Sequence, residues 1–363
     1  MPGNESQQRS DGPDFVKALA IALVVLGHTI RGVVGAGILS PGGPWGEVDR
    51  IIYLFHMPLF FFLSGLFVRR TFDRLGPWSF LRHKALTLLG PLVAWSYLQS
   101  GLQFLFSDFA NVQLSLYDVL TAPFPPGQQF WFLWALFGIS VAAGVLLALP
   151  RWRLSIGMFG IGFVGLAVAG DFVDIGCVAY RDFRFPAMGA AALYFPYFAL
   201  ALLVPWGSRP PSRDRENGLW LAAFVVAVVI FEIMPPGNLV FYAASFTCVL
   251  SVCKLGLAAA GHVAGFGNPP RWWHLLTFIG KNSMVIYLAH VTFAAATRGL
   301  FLKLGWRDPE LHILAGTLAG LLMPLLLVPF GARLAARMPA LAAVILPVHA
   351  GSGRRSSASR PGA

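Results

Sequence analysis

The sequence is short of charge and of cysteine, and each shortage excludes a class of protein. Only 12% of its 363 residues are Asp, Glu, Lys or Arg, against 56% hydrophobic and 14% aromatic. A water-soluble domain carries about a quarter charged residues and has no means of hiding this much apolar surface. Disordered and collagen-like chains fail on the same composition. The three cysteines, Cys177, Cys248 and Cys253, form no even set and no CxxC spacing. Neither a disulfide framework nor a metal site follows from them. P-loop, HExxH and GxSxG patterns are also missing. The run Gly160-Ile161-Gly162-Phe163-Val164-Gly165 fits GxGxxG, but it lies in an apolar stretch with no strand before it. It reads as small residues for helix packing.

What the sequence does contain is long apolar runs, with a mean hydropathy of +0.67. A spanning helix needs about 20 mostly apolar residues. That template predicts ten spans, at 14–34, 48–68, 85–106, 128–148, 154–170, 187–206, 217–234, 239–256, 276–298 and 311–330. The fold class is therefore all-α, a polytopic membrane helix bundle over residues 14–330. Residues 1–13 read as a polar tail without a signal-peptide core, so the first span is expected to direct insertion itself. Residues 331–363 read as a basic, disordered tail.

The net charge of +11 would suggest nucleic acid in a soluble chain. Here the distribution of the charges decides against that partner. Alternate loops and the two termini hold 18 of the 27 basic residues, and the opposite loops, counting Arg298 among them, hold 6. The positive-inside rule then places both termini in the cytoplasm, with the bilayer itself as a partner. The outer segments collect acids instead, among them Glu47, Asp49, Asp118 and Asp308.

Ionisable groups within a span are costly in lipid and are functional candidates by default. Asp14, Lys17 and His28 share the first span. Eleven residues separate Lys17 from His28, close to three full turns, so both lie on one face about 16 Å apart along the axis. His56 in the second span and His290 in the ninth reach a similar depth, so three imidazoles are expected to converge. The plain packing explanation is that each hydrogen-bonds a neighbouring helix. No carboxylate or cysteine shares their depth, so a metal is not expected. Towards the other face, Lys17, Arg69, Arg70 and Lys281, with Asn282 and Ser283, form a candidate anion-binding ring. Snorkelling explains Arg69 and Arg70 equally well. Phe130, Trp131, Phe132 and Trp134 are expected at an outer boundary, as an interfacial belt or as a platform for a sugar.

Four segments resemble one family. Asp14 to His28, with a basic residue, ten residues and then histidine, resembles the opening helix of the acyltransferase 3 family of integral membrane O-acyltransferases. Phe55-His56-Met57-Pro58-Leu59-Phe60-Phe61-Phe62-Leu63-Ser64-Gly65 resembles its second-helix signature. Phe130-Trp131-Phe132-Leu133 resembles its WFL segment. Ile279-Gly280-Lys281-Asn282-Ser283 through Tyr287 and His290 resembles its late iGxxS…YxxH segment. Lys17 stands where the family usually has arginine, which is similar to a subgroup related to fucose 4-O-acetylases. The C-terminal esterase-like domain of some members has no counterpart in residues 331–363.

The resemblance implies acyl transfer across the cell (inner) membrane. The donor would be cytoplasmic acyl-CoA, with acetyl the expected group, used as a co-substrate rather than a bound cofactor. The acceptor would be a hydroxyl of an extracytoplasmic carbohydrate or glycolipid. His28 is the expected general base, with His56, His290, Tyr287 and Ser64 orienting it or donating to the oxyanion. Lys17, Arg69, Arg70, Lys281, Asn282 and Ser283 are the expected CoA contacts, and Trp131, Trp134 and Asp14 the expected acceptor contacts. A proton-coupled transporter is the competing reading, since it too would place histidines and a cation ring in the membrane. The oligomeric state is not set by the sequence.

Overall fold

The computed structural model describes residues 3–107, 113–170, 186–204, 214–235, 237–264 and 269–348, and among these no strand occurs. Cys177, four of the outer acids and the arginines at 354, 355 and 360 lie outside the described residues. The chain runs α1 (Gly3–Gly35), α2 (Gly43–Leu66), α3 (Val68–Leu75), α4 (Pro77–Lys84), a π-helical turn (Ala85–Leu89) and α5 (Gly90–Leu105). It continues through α6 (Leu116–Thr121), α7 (Trp131–Leu147), α8 (Trp152–Gly170), α9 (Pro186–Leu203), α10 (Asp214–Ile233) and α11 (Asn238–Ala264). The last elements are α12 (Arg271–Lys281), α13 (Ser283–Lys303), α14 (Pro309–Leu322), α15 (Val328–Arg337) and α16 (Pro339–Ile345).

Ten of these helices fall on the ten apolar runs, because a backbone in lipid must satisfy its own polar groups and the helix does so locally. Among the described residues seven stretches are both long and apolar enough to cross a bilayer, while Trp152–Val168 and Gly189–Leu203 are apolar but shorter. Their outward faces confirm the environment. Leu219, Leu221, Val225, Val226 and Ile233 on α10 are all exposed, a continuous apolar surface that water would not tolerate. Helix ends carry ordinary signals. Pro309 opens α14, where Asp308 caps the helix by accepting from the Leu311 N–H at 2.7 Å.

Helix α1 is the hub, packed against α2, α11, α12, α13 and α14. Small residues permit the approach. A Cβ added to Gly280 would stand 1.7 Å from the Asp14 carbonyl oxygen, and one on Gly256 would stand 2.3 Å from Val16. The stripe of α1 that carries Asp14, Lys17 and His28 is thus enclosed by other helices.

The structure departs from the sequence expectations in three places. The ninth span does not begin at 276. α12 ends at Lys281, where Asn282 leaves helical geometry and its side-chain amide donates to the Phe278 carbonyl at 2.9 Å. α13 starts afresh at Ser283, so Lys281 and Asn282 stand at a helix break and Ser283 opens the apolar helix that is long enough to span. The presumed tail is helical over α15 and α16, and α16 packs on α5. There the Trp95 indole donates to the Ile345 carbonyl at 2.6 Å, and Val344 closes on Gly90. The apolar residues of Pro339–Ile345 give that segment a surface to bury, which outweighs the arginines around it. Residues 349–363 lie outside the described residues. Finally, Arg298 does not stand in an outer loop. It is buried in α13, with a guanidinium nitrogen 2.6 Å from where a Cβ on Gly32 would stand.

Candidate functional site

His28 on α1 and His290 on α13 meet edge to face, with ring centroids 5.0 Å apart. His56 on α2 is within coulombic reach of His28. The three imidazoles share one local arrangement. Nδ1 of His28 donates to the Val24 carbonyl at 3.0 Å, and Nδ1 of His56 donates to Ile52 at 2.7 Å. Nδ1 of His290 is shared between the carbonyls of Tyr287, at 2.8 Å, and Ile286, at 3.1 Å. A nitrogen facing a carbonyl oxygen must carry the proton, so in each neutral ring the lone pair sits on Nε2. His56 and His290 are fully buried, and their Nε2 atoms have no hydrogen-bond partner among the described residues. His28 is only half-buried, which makes it the member of the trio open to a reactant. Among the described residues no group of His, Cys, Asp or Glu is arranged to hold a metal ion.

One turn beyond His28 stands Arg31. Its Nε donates to Asp49 Oδ2 at 2.8 Å, and its guanidinium carbon lies 3.3 Å from the centre of the Tyr53 ring. Tyr53 in turn meets His56 edge to face at 4.4 Å. The second carboxylate oxygen, Asp49 Oδ1, is buried without a partner among the described residues. Gly27, next to His28, makes room for it: a Cβ there would stand 3.3 Å from both Asp49 Oδ1 and the Tyr53 ring. In the sequence Arg31 falls within the predicted first span, 14–34, and Asp49 among the outer acids, and no motif joins them.

At the opposite end of the stripe three of the four candidate cations, Lys17, Lys281 and Arg69, are already partnered. Lys17 pairs with Asp14 at 3.0 Å and lies over the Phe67 ring at 5.3 Å, beside the corner that leads into Arg69 and Arg70. Lys281 pairs with Asp11 at 3.2 Å, and Arg69 with Asp73 at 2.7 Å. Arg69 also stacks over Trp152 at 4.8 Å, while Arg70 is exposed. Lys17, Lys281 and the start of α3 therefore do gather around one end of α1. Any anion bound there would exchange for a carboxylate.

The remaining candidates separate into those that reach the histidines and those that do not. Tyr287 does, its ring 6.2 Å from that of His290. Its hydroxyl is committed, donating to the Gln129 carbonyl. Gln129 is buried and donates to Gln99 at 2.8 Å, in a chain of amides that continues to Gln128 and Gln103. Gln128 adopts a left-handed φ of 48°, uncommon for a residue with a side chain, where the chain turns into α7. Ser64 does not reach the histidines. It lies about two turns along α2 from His56 and donates to the Phe60 carbonyl at 2.8 Å. The aromatic stripe lies within the bundle and not at its rim: Trp131 stacks on Tyr194 at 5.7 Å, and Phe132 meets Phe61 at 4.8 Å and Tyr287 at 5.5 Å. Trp134 turns away, onto Phe124 and Phe137.

Comparison with known proteins agrees with the resemblance. A family described as an acyltransferase domain, acyltransferase 3, matches residues 10–329. Two curated proteins, both called nodulation protein NolL, are similar over part of their length. The one from Sinorhizobium fredii is 31% identical over 149 residues, 39% of this chain and 38% of its own. The one from Mesorhizobium japonicum is 26% identical over 167 residues, 43% of this chain and 42% of its own. The matched region is thus about two-fifths of each relative. No solved structure matches significantly.

Proposed function

The chain belongs to the acyltransferase 3 family, and from that premise we propose that it moves an acyl group, acetyl in the simplest case, from acyl-CoA to a hydroxyl of a carbohydrate or glycolipid across the inner membrane. The observation that carries the reading is the stripe of α1, with a cation cluster at one end and a half-buried histidine at the other. Coenzyme A has phosphates at one end and a thioester at the tip of a long arm. Phosphates held at Lys17, with Arg69, Arg70 or Lys281, would leave the thioester near His28, about 16 Å away along the helix. In this reading the Lys17 end faces the cytoplasm, where acyl-CoA is made, and the basic bias of the loops supports that orientation.

The chemistry asks little beyond position and a base, because a thioester is already activated. The acceptor oxygen attacks the thioester carbonyl carbon while its proton passes to Nε2 of His28. The carbonyl π pair moves to oxygen, then returns as the C–S bond breaks. CoA leaves as a thiol, taking the proton from the imidazolium. The Nδ1–H of His28 bonded to Val24 fixes the lone pair on the nitrogen that must accept. His290, edge-on at 5.0 Å and locked by its own carbonyl bonds, restrains the His28 ring. Tyr287 and Gln129 support His290 from behind.

The test is release of free CoA in membranes containing the full chain. Acyl transfer requires release that depends on the protein and rises above its slow hydrolysis by water when an acceptor glycan is added. A transporter would release none.

A further inference from the structure

The Arg31–Asp49 pair is not used by the transfer chemistry above, yet it sits one turn from His28 on the side away from Lys17. The donor is assigned to the Lys17 end, so whatever enters from the other side to meet His28 passes this pair. Arg31 is pinned twice, by Asp49 at Nε and by the Tyr53 ring under its plane. Its guanidinium is also within hydrogen-bonding reach of the Tyr53 hydroxyl, and with its side chain 40% exposed it keeps N–H donors to spare for a ligand. Asp49 is the reverse, 16% exposed, with one carboxylate oxygen taken by Arg31 and the other buried and unpartnered. A carboxylate oxygen withheld from both water and protein costs free energy unless a ligand completes it. The pair therefore offers paired donors and an acceptor side by side in a fixed plane, next to the base.

We propose that Arg31 and Asp49 bind the acceptor, taking two adjacent hydroxyl groups of a neutral carbohydrate. One hydroxyl donates to Asp49 Oδ1 and its neighbour accepts from the Arg31 guanidinium, which turns a third oxygen toward His28. Adjacent charges of opposite sign suit a neutral polyol, whereas an anionic acceptor would be repelled by Asp49 and a cationic one by Arg31. Gly27 lets the carboxylate lie close against α1, where a side chain would crowd Asp49 Oδ1. Tyr53 links the pair to His56, so that acceptor binding and the histidine trio share one wall.

This inference rests on the acyl-transfer reading, and two readouts keep their failures apart. The first is ester-linked acetate on the surface carbohydrate of cells producing the full chain. The second is hydrolysis of acetyl-CoA by membranes from the same cells, in which water is the acceptor. Arg31→Gln and Asp49→Asn should each lower carbohydrate-linked acetate about 10- to 100-fold, with the rate of hydrolysis and the KM for acetyl-CoA unchanged. His28→Ala should lose both readouts; if it keeps them, the base assignment fails while the result for the pair stands. The exchanged variant Arg31→Asp/Asp49→Arg keeps an ion pair but reverses its polarity, and it should remain defective in transfer. Recovery of transfer in that variant would show a merely structural pair and overturn the proposal. So would a parallel fall of both readouts in Arg31→Gln or Asp49→Asn, or no change in either.

Discussion

The imidazoles of His28 and His290 touch edge to face at 5.0 Å, each with Nδ1 tied to a carbonyl of its own helix. Two rings held in this way present the same tautomer, so the pair is arranged before any substrate arrives. His290 is wholly buried, and removing it leaves a cavity beside His28 as well as a free rotamer. We expect His290→Ala to lower kcat by about 100-fold or more with little change in the KM for acyl-CoA, a loss in the range typical of misplaced acid–base catalysis. Steady-state CoA release by the purified variant measures both constants.

Lys17 is expected to act on donor binding alone. Its ammonium is held by Asp14 and lies about 16 Å from His28 along the helix, too far to touch the reacting carbonyl. Lys17→Ala should raise the KM for acyl-CoA about tenfold or more, the worth of a hydrogen bond to a charged group. Lys17→Arg should keep most of the affinity. Substrate-saturation curves check this, and an unchanged KM in the alanine variant would remove Lys17 from the donor site.

Tyr287 has a single hydroxyl proton, and it is spent on the Gln129 carbonyl. An oxyanion donor would need that proton free. Tyr287→Phe should therefore cost about 1 kcal/mol of stability, seen as a lower thermal midpoint in detergent, and leave kcat within about tenfold of wild type. A loss of activity as large as that from His28→Ala would put the hydroxyl into the chemistry.

The contact between Gly280 and Asp14 leaves no space for a side chain. Gly280→Val should force α12 away from α1 and cost about 1–3 kcal/mol or more, read out as a smaller folded fraction on size exclusion. The C-terminal segment should matter in a similar way. Truncation after residue 338 removes the Ile345 carbonyl from Trp95 and uncovers Gly90, and should lower the thermal midpoint.

The helices were legible in the sequence because an apolar run of bilayer length is a local signal, and the stripe from Lys17 to His28 was legible because helix geometry is regular. What the sequence hid was pairing between segments. Arg31 and Asp49 lie 18 residues apart across a turn, and the Tyr287 hydroxyl and the Gln129 carbonyl lie 158 apart. No periodicity relates such positions. The break at Asn282 was hidden for a different reason: the short polar run Lys281-Asn282-Ser283 is flanked on both sides by apolar residues, so a window of bilayer length runs straight through it. The folding of α16 onto α5 was masked by the arginines on either side of a short apolar segment.

The most direct test is CoA release by His28→Ala in membranes supplied with acetyl-CoA and acceptor glycan. The variant should insert and fold like wild type, retain its KM-determining cation cluster and release no CoA above the background of membranes lacking the protein. Release at the wild-type rate by a folded His28→Ala protein would contradict the assignment of His28 as the base.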